Sequence, residues 1–543
     1  MAIPMKTHLI KFTVRSIKHL RGIVGGLIAI LLFFNELPKL WSQALPPLFW
    51  ADDSSPTTAG SGTWTTSTSS GSLSWSSSSS STFPDSPWVQ GSVAHFVSII
   101  SGGGTVTLGG TFSASGSDNI TAAGINFDAG ASSFTIDTHG NTLTINGPGI
   151  VNTSGTTQTI SNNGTELITS GPLVAPGSTS FLNTSTADNA TITNNGSAVS
   201  GGSGGSTEFQ GLSSAGSATI TNIGSAVSGN GGGATEFFSA STAGSATITN
   251  IGGTVSGGNG GSTSFSGTST AGNAAITNNG GTVSGAAGGF TEFSNTSTAS
   301  NAAITNNGGT ASGGGRGVTE FFNTSTAGGA AITNNGDTVS GGGGGLTEFF
   351  NASAAGSATI TNNGSSASGG GGGLTEFFSA STAGSATIIT NGSTVSGGGG
   401  GLTEFFNTSM AGSATIITNG GTGGGTGGGA GGSTFFIQSS DGGTARAITN
   451  GNGSFDISGL TAVGMGIGSI EGTGNYFLGS KTLTVGGNNL STTVSGVIRD
   501  GGSSGGTGGS LTKVGPGTLT LTGANTYSGG TNLNGGFRGK SLL

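Results

Sequence analysis

The chain has 543 residues, of which 115 are Gly, none is Cys and 34 carry a formal charge, 13 basic and 21 acidic. Gly at about one residue in five, where ordinary proteins have about 7%, and a charged share far below the usual ~25% exclude a conventional globular enzyme, and Gly in clumps rather than at every third position excludes collagen. Zero Cys excludes disulfide scaffolds, Cys-ligated zinc or iron–sulfur sites and a cysteine nucleophile, and past Ala44 only 7 basic residues stand against 20 acidic ones, a net charge of -13 that argues against nucleic acid as a partner.

Six basic residues, Lys6, Lys11, Arg15, Lys18, Arg21 and Lys39, precede residue 40, and the next is Arg316. The basic stretch runs into an apolar segment of 13 residues, Gly22 to Phe34. That is short of the ~20 residues a bilayer span needs, but it suits the core of a signal peptide. Ser42-Gln43-Ala44 places small residues where a signal peptidase reads, so residues 1–44 are expected to be removed after Ala44, an uncleaved anchor being the alternative. Membrane contact is expected only through residues 22–34, and the rest of the chain lies outside the cytoplasm.

Residues 45–96 form a Ser- and Trp-rich leading segment, and residues 97–177 carry short alternating stretches such as Thr105–Leu108 and Asn141–Ile145. Residues 178–436 then repeat. Phe181, Phe209, Phe237, Phe265, Phe293, Phe321, Phe349, Phe377 and Phe405 are spaced by 28, as are the columns from Ile192 to Ile416, Ala187 to Ala411 and Gly196 to Gly420. Disordered low-complexity sequence has no reason to keep register through nine copies; stacked coils do. Within one copy, Leu346–Phe349 and Ala358–Thr361 alternate apolar with polar residues, the period of half-buried strands. Ala355-Gly356 and Asn363-Gly364 read as turns, since Asn and Gly tolerate positive φ. A third short strand is expected on the column Val199, Val227, Val255, Val283, Ala311, Val339, Ala367 and Val395. The pattern predicts an all-β chain, a right-handed parallel β-helix (β-solenoid) with about 28 residues per coil in the central repeats, its core filled by Phe, Ala, Ile and Val columns. The column Asn194, Asn222, Asn250, Asn278, Asn306, Asn334 and Asn362 predicts an amide ladder at a corner, with plain turn preference as the competing reading. The Gly clumps, such as residues 341–345 and 397–401, fall once per coil and read as flexible loops along one side.

One polar column stands out for chemistry: Glu208, Glu236, Glu292, Glu320, Glu348, Glu376 and Glu404, each beside an inward Phe and therefore expected to face outward. Carboxylates about 5 Å apart in water repel by roughly 0.8 kcal/mol per pair. Such a stripe could recruit Ca²⁺, which prefers several oxygen ligands; a solvated acidic edge is the plainer reading, and the Gly-Gly-x-Gly-x-Asp repeat of calcium-binding solenoids is missing. No other cofactor is expected. Catalytic readings are poor. Arg is absent from residues 22–315, Asp118, Asp128, Asp137 and His139 form no recognisable constellation, and none of His8, His19, His95 and His139 lies in the repeats. His139, in His-Gly-Asn, reads as a surface turn residue. The chain is therefore expected not to be an enzyme, with a polysaccharide-processing β-helix as the alternative.

The flanks resemble a known family. Gly62-Thr-Trp64, Trp75, Pro84-Asp85 and Ala94-His95-Phe96 look like the Trp-rich start of bacterial autotransporter passengers, and the coils of residues 105–165 are similar to their first β-helix turns. Residues 437–535 read as C-terminal β-helix coils, within which residues 511–531 closely resemble the autotransporter-associated β-strand repeat. This resemblance implies an exported, adhesin-like passenger on the surface of, or shed from, a Gram-negative bacterium, with a surface glycan or other cell-surface ligand as partner. Family members usually end in a membrane β-barrel translocator. After residue 535 the sequence turns to an aberrant tail, 536–543, with no stretch left for a barrel, so the resemblance raises the expectation of a truncated or frameshifted chain, with a nonfunctional remnant as a further alternative.

Overall fold

A computed structural model describes residues 45, 47–50, 61–66, 75–76, 87–97, 103–109, 119–167, 173–423 and 428–535. The expected signal segment with its cleavage site, Asp118 and the tail 536–543 lie outside the described residues. Among those described there is no helix, and none therefore long and apolar enough to cross a membrane.

Two long parallel sheets carry the fold. One, the Phe sheet, has 18 strands and contains Ser178–Phe181, Ser206–Phe209 and their successors; the other, the Ile sheet, has 15 and contains Thr191–Asn194, Thr219–Asn222 and theirs. Each strand pairs in parallel with its equivalent 28 residues on, so Phe181 lies beside Phe209 and Ile192 beside Ile220. The alternation of the four-residue strands sends Thr and Phe of one sheet, Ile and Asn of the other, into a shared interior. The predicted solenoid is thus present.

Its core is built of stacked like residues. Phe181 through Phe436 are fully buried and their rings stack with centroids 4.6–4.8 Å apart and planes within 8°, each pair contributing about 0.5–1.5 kcal/mol beyond its burial. Beside them runs the expected amide ladder. Asn194 Nδ2 donates to Asn222 Oδ1 at 2.8 Å, Asn222 to Asn250 and Asn250 to Asn278 at 2.7 Å. Each Oδ1 also accepts a Thr hydroxyl, such as Thr263 Oγ1 on Asn250 at 2.9 Å, and the second N–H of Asn250 reaches the Phe290 carbonyl at 3.0 Å. A fully buried amide has all four hydrogen-bonding positions used, which burial requires. Where the column changes to Thr390 and Thr418, hydroxyl pairs with Thr403 and Thr434 at 2.7 and 2.8 Å take over.

The predicted third strand is not one. Val199 and its equivalents are half-buried in a bend; where the residue two before is Ser its hydroxyl takes the N–H, 3.2 Å from Ser197 to Val199 and 3.1 Å from Ser393 to Val395, and the coils with Gly253, Gly281 and Gly309 there bend in the same way. In the Ser coils that local bond keeps the N–H out of any ladder. The third side of each coil is closed instead by single parallel bridges at Thr186, Ser214, Thr242 and on to Met410, so the core columns are Phe, Ala and Ile without Val. The turns differ too. Positive φ falls at Asn351 and Gly356, at 59° and 68°, while Gly364 has none: a Cβ there would lie 2.4 Å from the backbone of Gly392 in the next coil. The Gly clumps, expected to be slack, are stacked coil on coil, with Gly257 N bonded to Gly285 O at 2.8 Å and Gly369 N to Gly397 O at 2.8 Å.

At the N-terminal end, Trp50, Trp64, Trp75 and Trp88 cluster on Phe96 with ring centroids 4.8–6.0 Å apart, a plug over the exposed end of a core that repeats would otherwise leave open. At the other end the coils shorten. Ser454 pairs with Asn475 and Asn475 with Val497, and the last ladder runs through Thr482–Val485, Ser510–Lys513 and Thr531–Leu533.

Candidate functional site

The Glu column stands on the outer side of the Phe sheet. Glu208 lies beside Glu236; Ser264 then interrupts; Glu292, Glu320, Glu348, Glu376 and Glu404 follow one another, and the file ends at Phe435. All seven carboxylates are half-buried rather than solvated, and from Glu320 to Glu404 the residues two before and two after each are bulky. Val318, Leu346, Leu374 and Leu402 line one flank; on the other, Phe322, Phe350, Phe378 and Phe406 form a second aromatic stack with centroids 4.9–5.1 Å apart. The sequence reading overlooked this outer stack, although the doubled Phe-Phe of those coils was its signal.

Crowded carboxylates in partial burial hold their protons. Burial first, then the charges of Glu320 and Glu376, push Glu348 up to about 7, and burial with Glu376 does the same for Glu404. Burial also raises Glu236, Glu320 and Glu376, opposed at Glu320 by a hydrogen bond from Glu348 and at Glu376 by Arg316 and a hydrogen bond with Glu404. The file is therefore a line of proton-sharing pairs, Glu320 with Glu348 and Glu376 with Glu404, tempered by the single cation Arg316. As a cation site its geometry is thin. Among the described residues no group of three or more His, Asp or Glu is gathered to hold a metal ion, and a single file walled by apolar side chains falls short of the six to eight oxygens Ca²⁺ takes.

The other acidic residues and histidines are spent locally. Asp137 Oδ1 accepts from the backbone of His139 at 3.0 Å and from Asn163 Nδ2 at 2.8 Å, and His139 sits in a turn with φ 41°. His95 Nδ1 lies 3.0 Å from Asp128 Oδ2, a pairing sequence reading missed, and its Nε2 faces Asn126 Nδ2 at 3.3 Å. No hydroxyl nucleophile joins that pair in the hydrogen bonds of the described residues.

A second feature lies at the corner after the Ile sheet. From Asn278 on, the Asn following each buried Asn builds an outer amide file: Asn307 Nδ2 donates to Asn279 Oδ1 at 2.9 Å, Asn335 to Asn307 at 2.8 Å and Asn363 to Asn335 at 3.0 Å. It lines an open trough of about 570 Å³ together with Thr282, Thr310 and Thr338. In sequence this file was hidden inside Asn-Gly, which reads as a turn.

Comparison with known proteins adds one match: residues 511–537 fit the family model of the passenger-associated-transport-repeat. No curated protein matches the chain. The matched stretch begins within the strand Ser510–Lys513 and takes in Leu519–Leu521 and Thr531–Leu533, which continue the parallel ladders of the preceding coils. A parallel β-solenoid that carries this repeat at its C-terminal coils fits an autotransporter passenger with repeats.

Proposed function

We propose that the chain is an exported passenger of a Gram-negative bacterium, displayed on the cell surface or released from it, in which the 28-residue coils form a stalk with an adhesin-like duty and no catalytic one. The observation that carries this reading is the transport-associated repeat at 511–537 built into the last ladders of a continuous parallel solenoid. A low-charge, Cys-free chain is in keeping with it, since disulfides formed before passage through a translocator would hinder threading.

The test is to express the full chain in a Gram-negative host, joined in frame to a membrane β-barrel translocator. The expected result is a mature chain beginning at Leu45, accessible to protease on intact cells, and cells that attach to glycan-coated surfaces more than those bearing the barrel alone. Retention inside the cell, with residues before Asn35 still present, would overturn the export reading; surface display without attachment would overturn the adhesin-like part.

A further inference from the structure

We propose that the trough along the outer Asn file is a binding site for a neutral, extended β-linked polysaccharide, its sugar units lying along the solenoid axis over Asn279, Asn307, Asn335 and Asn363. The inference deepens the adhesin-like reading and takes its biological setting from it. Three observations carry it. The first is the hydrogen-bonding balance. Within the file each amide spends one N–H and one lobe of its oxygen on its neighbours, so Asn307 and Asn335 each keep a second N–H and a second lobe, and both side chains line the trough. Exposed Thr310 and Thr338 add hydroxyls along the same trough. Sugar hydroxyls, each both donor and acceptor, answer this lining; it has no ionisable side chain to hold a charged ligand.

Spacing is the second. The offered groups recur once per coil, about 4.8 Å apart. A peptide strand laid along the axis advances ~3.3 Å per residue and repeats its backbone pattern every ~6.6 Å, out of step with the file, whereas an extended chain of β-linked pyranoses advances by nearly one coil per ring. The third is the limit of the file itself. In the same column Ile223 and Ile251 replace Asn, and the trough begins at Ile251. The backbone does not register the change: Ile251 N bonds Asn222 O at 2.9 Å just as Asn335 N bonds Asn306 O at 2.9 Å. The amides are therefore dispensable to the coil, and their run over successive coils is open to selection for binding.

The Ile positions supply the control. Calorimetric titration of the purified full chain with cellohexaose, xylohexaose and mannohexaose is expected to show binding to at least one of them, weaker for its trisaccharide, and at least tenfold weaker in the double variant Asn307→Ile, Asn335→Ile. That variant should keep the circular dichroism and melting of the parent, since Ile already occupies the column twice. No binding by any of the three, binding unchanged in the variant, or equal binding of hexagalacturonate would each overturn the proposal. The measurement needs neither export nor a cell surface, so its failure leaves the passenger reading standing, and failure of display leaves the trough standing.

Discussion

At the scale of single residues, the Gly of this chain divides into two kinds that composition cannot separate. Gly356 has φ 68°, and its column admits other residues at the same conformation, Asp188 at 52° and Ser300 at 56°. Gly364 has ordinary φ but no room, its Cβ position being 2.4 Å from backbone atoms of Gly392, and the column from Gly196 to Gly420 admits nothing else. Gly364→Ala is therefore expected to force the coils apart and cost about 1–3 kcal/mol or more, while Gly356→Asn, whose Cβ meets Gly328 O at 2.8 Å in a column that accepts Asp188 and Ser300, is expected to cost less; denaturant melts of the two variants check the ordering. Asp337 is the converse case, a residue too polar for its place. It stands in a column held elsewhere by Ser and Gly, is fully buried, and its Oδ2 has no partner, while Oδ1 accepts from Thr338 and Val339. Burial raises its pKa, with the two backbone bonds offsetting in part. Asp337→Ser, which restores the residue found at Ser365 and Ser393, is expected to stabilise the chain by about 1–3 kcal/mol at pH 8, a gain that shrinks as pH falls and the parent carboxyl takes up its proton earlier than an ordinary Asp.

At the scale of strands, the Glu file makes stability depend on pH in an unusual direction. Glu236, Glu320, Glu348, Glu376 and Glu404 have folded pKa values above their unfolded ones, Glu348 and Glu404 at about 7 against 4.5. The folded state thus binds more protons than the unfolded state between these values, and stability falls as pH rises through that window. Melting temperature is expected to be highest near pH 4.5 and to decline towards pH 8, and the double variant Glu348→Gln, Glu404→Gln to flatten the decline; a parent whose melting rises with pH in this range would contradict the account. Element by element, the strands themselves were plain in sequence because a 28-residue register puts Phe on Phe, Ile on Ile and Asn on Asn, and only stacking rewards such repetition. Other parts were hidden for local reasons. Ser-Ala-Val-Ser alternates like a strand, yet the chain bends there with the Ser hydroxyl on the Val N–H, and coils with Gly in place of that Ser bend alike. The Glu column was visible, but its half-burial is a property of the stacked sheet, reinforced from Glu320 to Glu404 by Val or Leu and Phe two residues away on the same face, and not of the Glu positions. Asn-Gly announces a turn so strongly that the second, outer amide file behind it went unread.

At the scale of the whole solenoid, stability is a sum over neighbouring coils rather than a property of one closed core. Each central coil buries its Phe, Ile and Asn only against the coils before and after it, so no coil is unique and the interfaces are nearly interchangeable. Removing a whole period leaves every column intact. Deleting Leu374 to Gly401, 28 residues, brings Leu402 into the place of Leu374, pairs Phe349 with Phe405 and Ile360 with Ile416, and loses one stacked interface of many. Deleting only Leu374 to Thr387, 14 residues, keeps the composition nearly the same but sets Asn391 against Phe349 and Leu402 against Ile360 and buries strand residues that faced water, since a strand out of register turns its faces over. The full-period deletion is expected to melt cooperatively within a few degrees of the parent with the same strand content by circular dichroism, and the half-period deletion to lose cooperativity and become protease-sensitive at the junction. Equal behaviour of the two would mean that length and composition, rather than the register of like residues, hold the coils together.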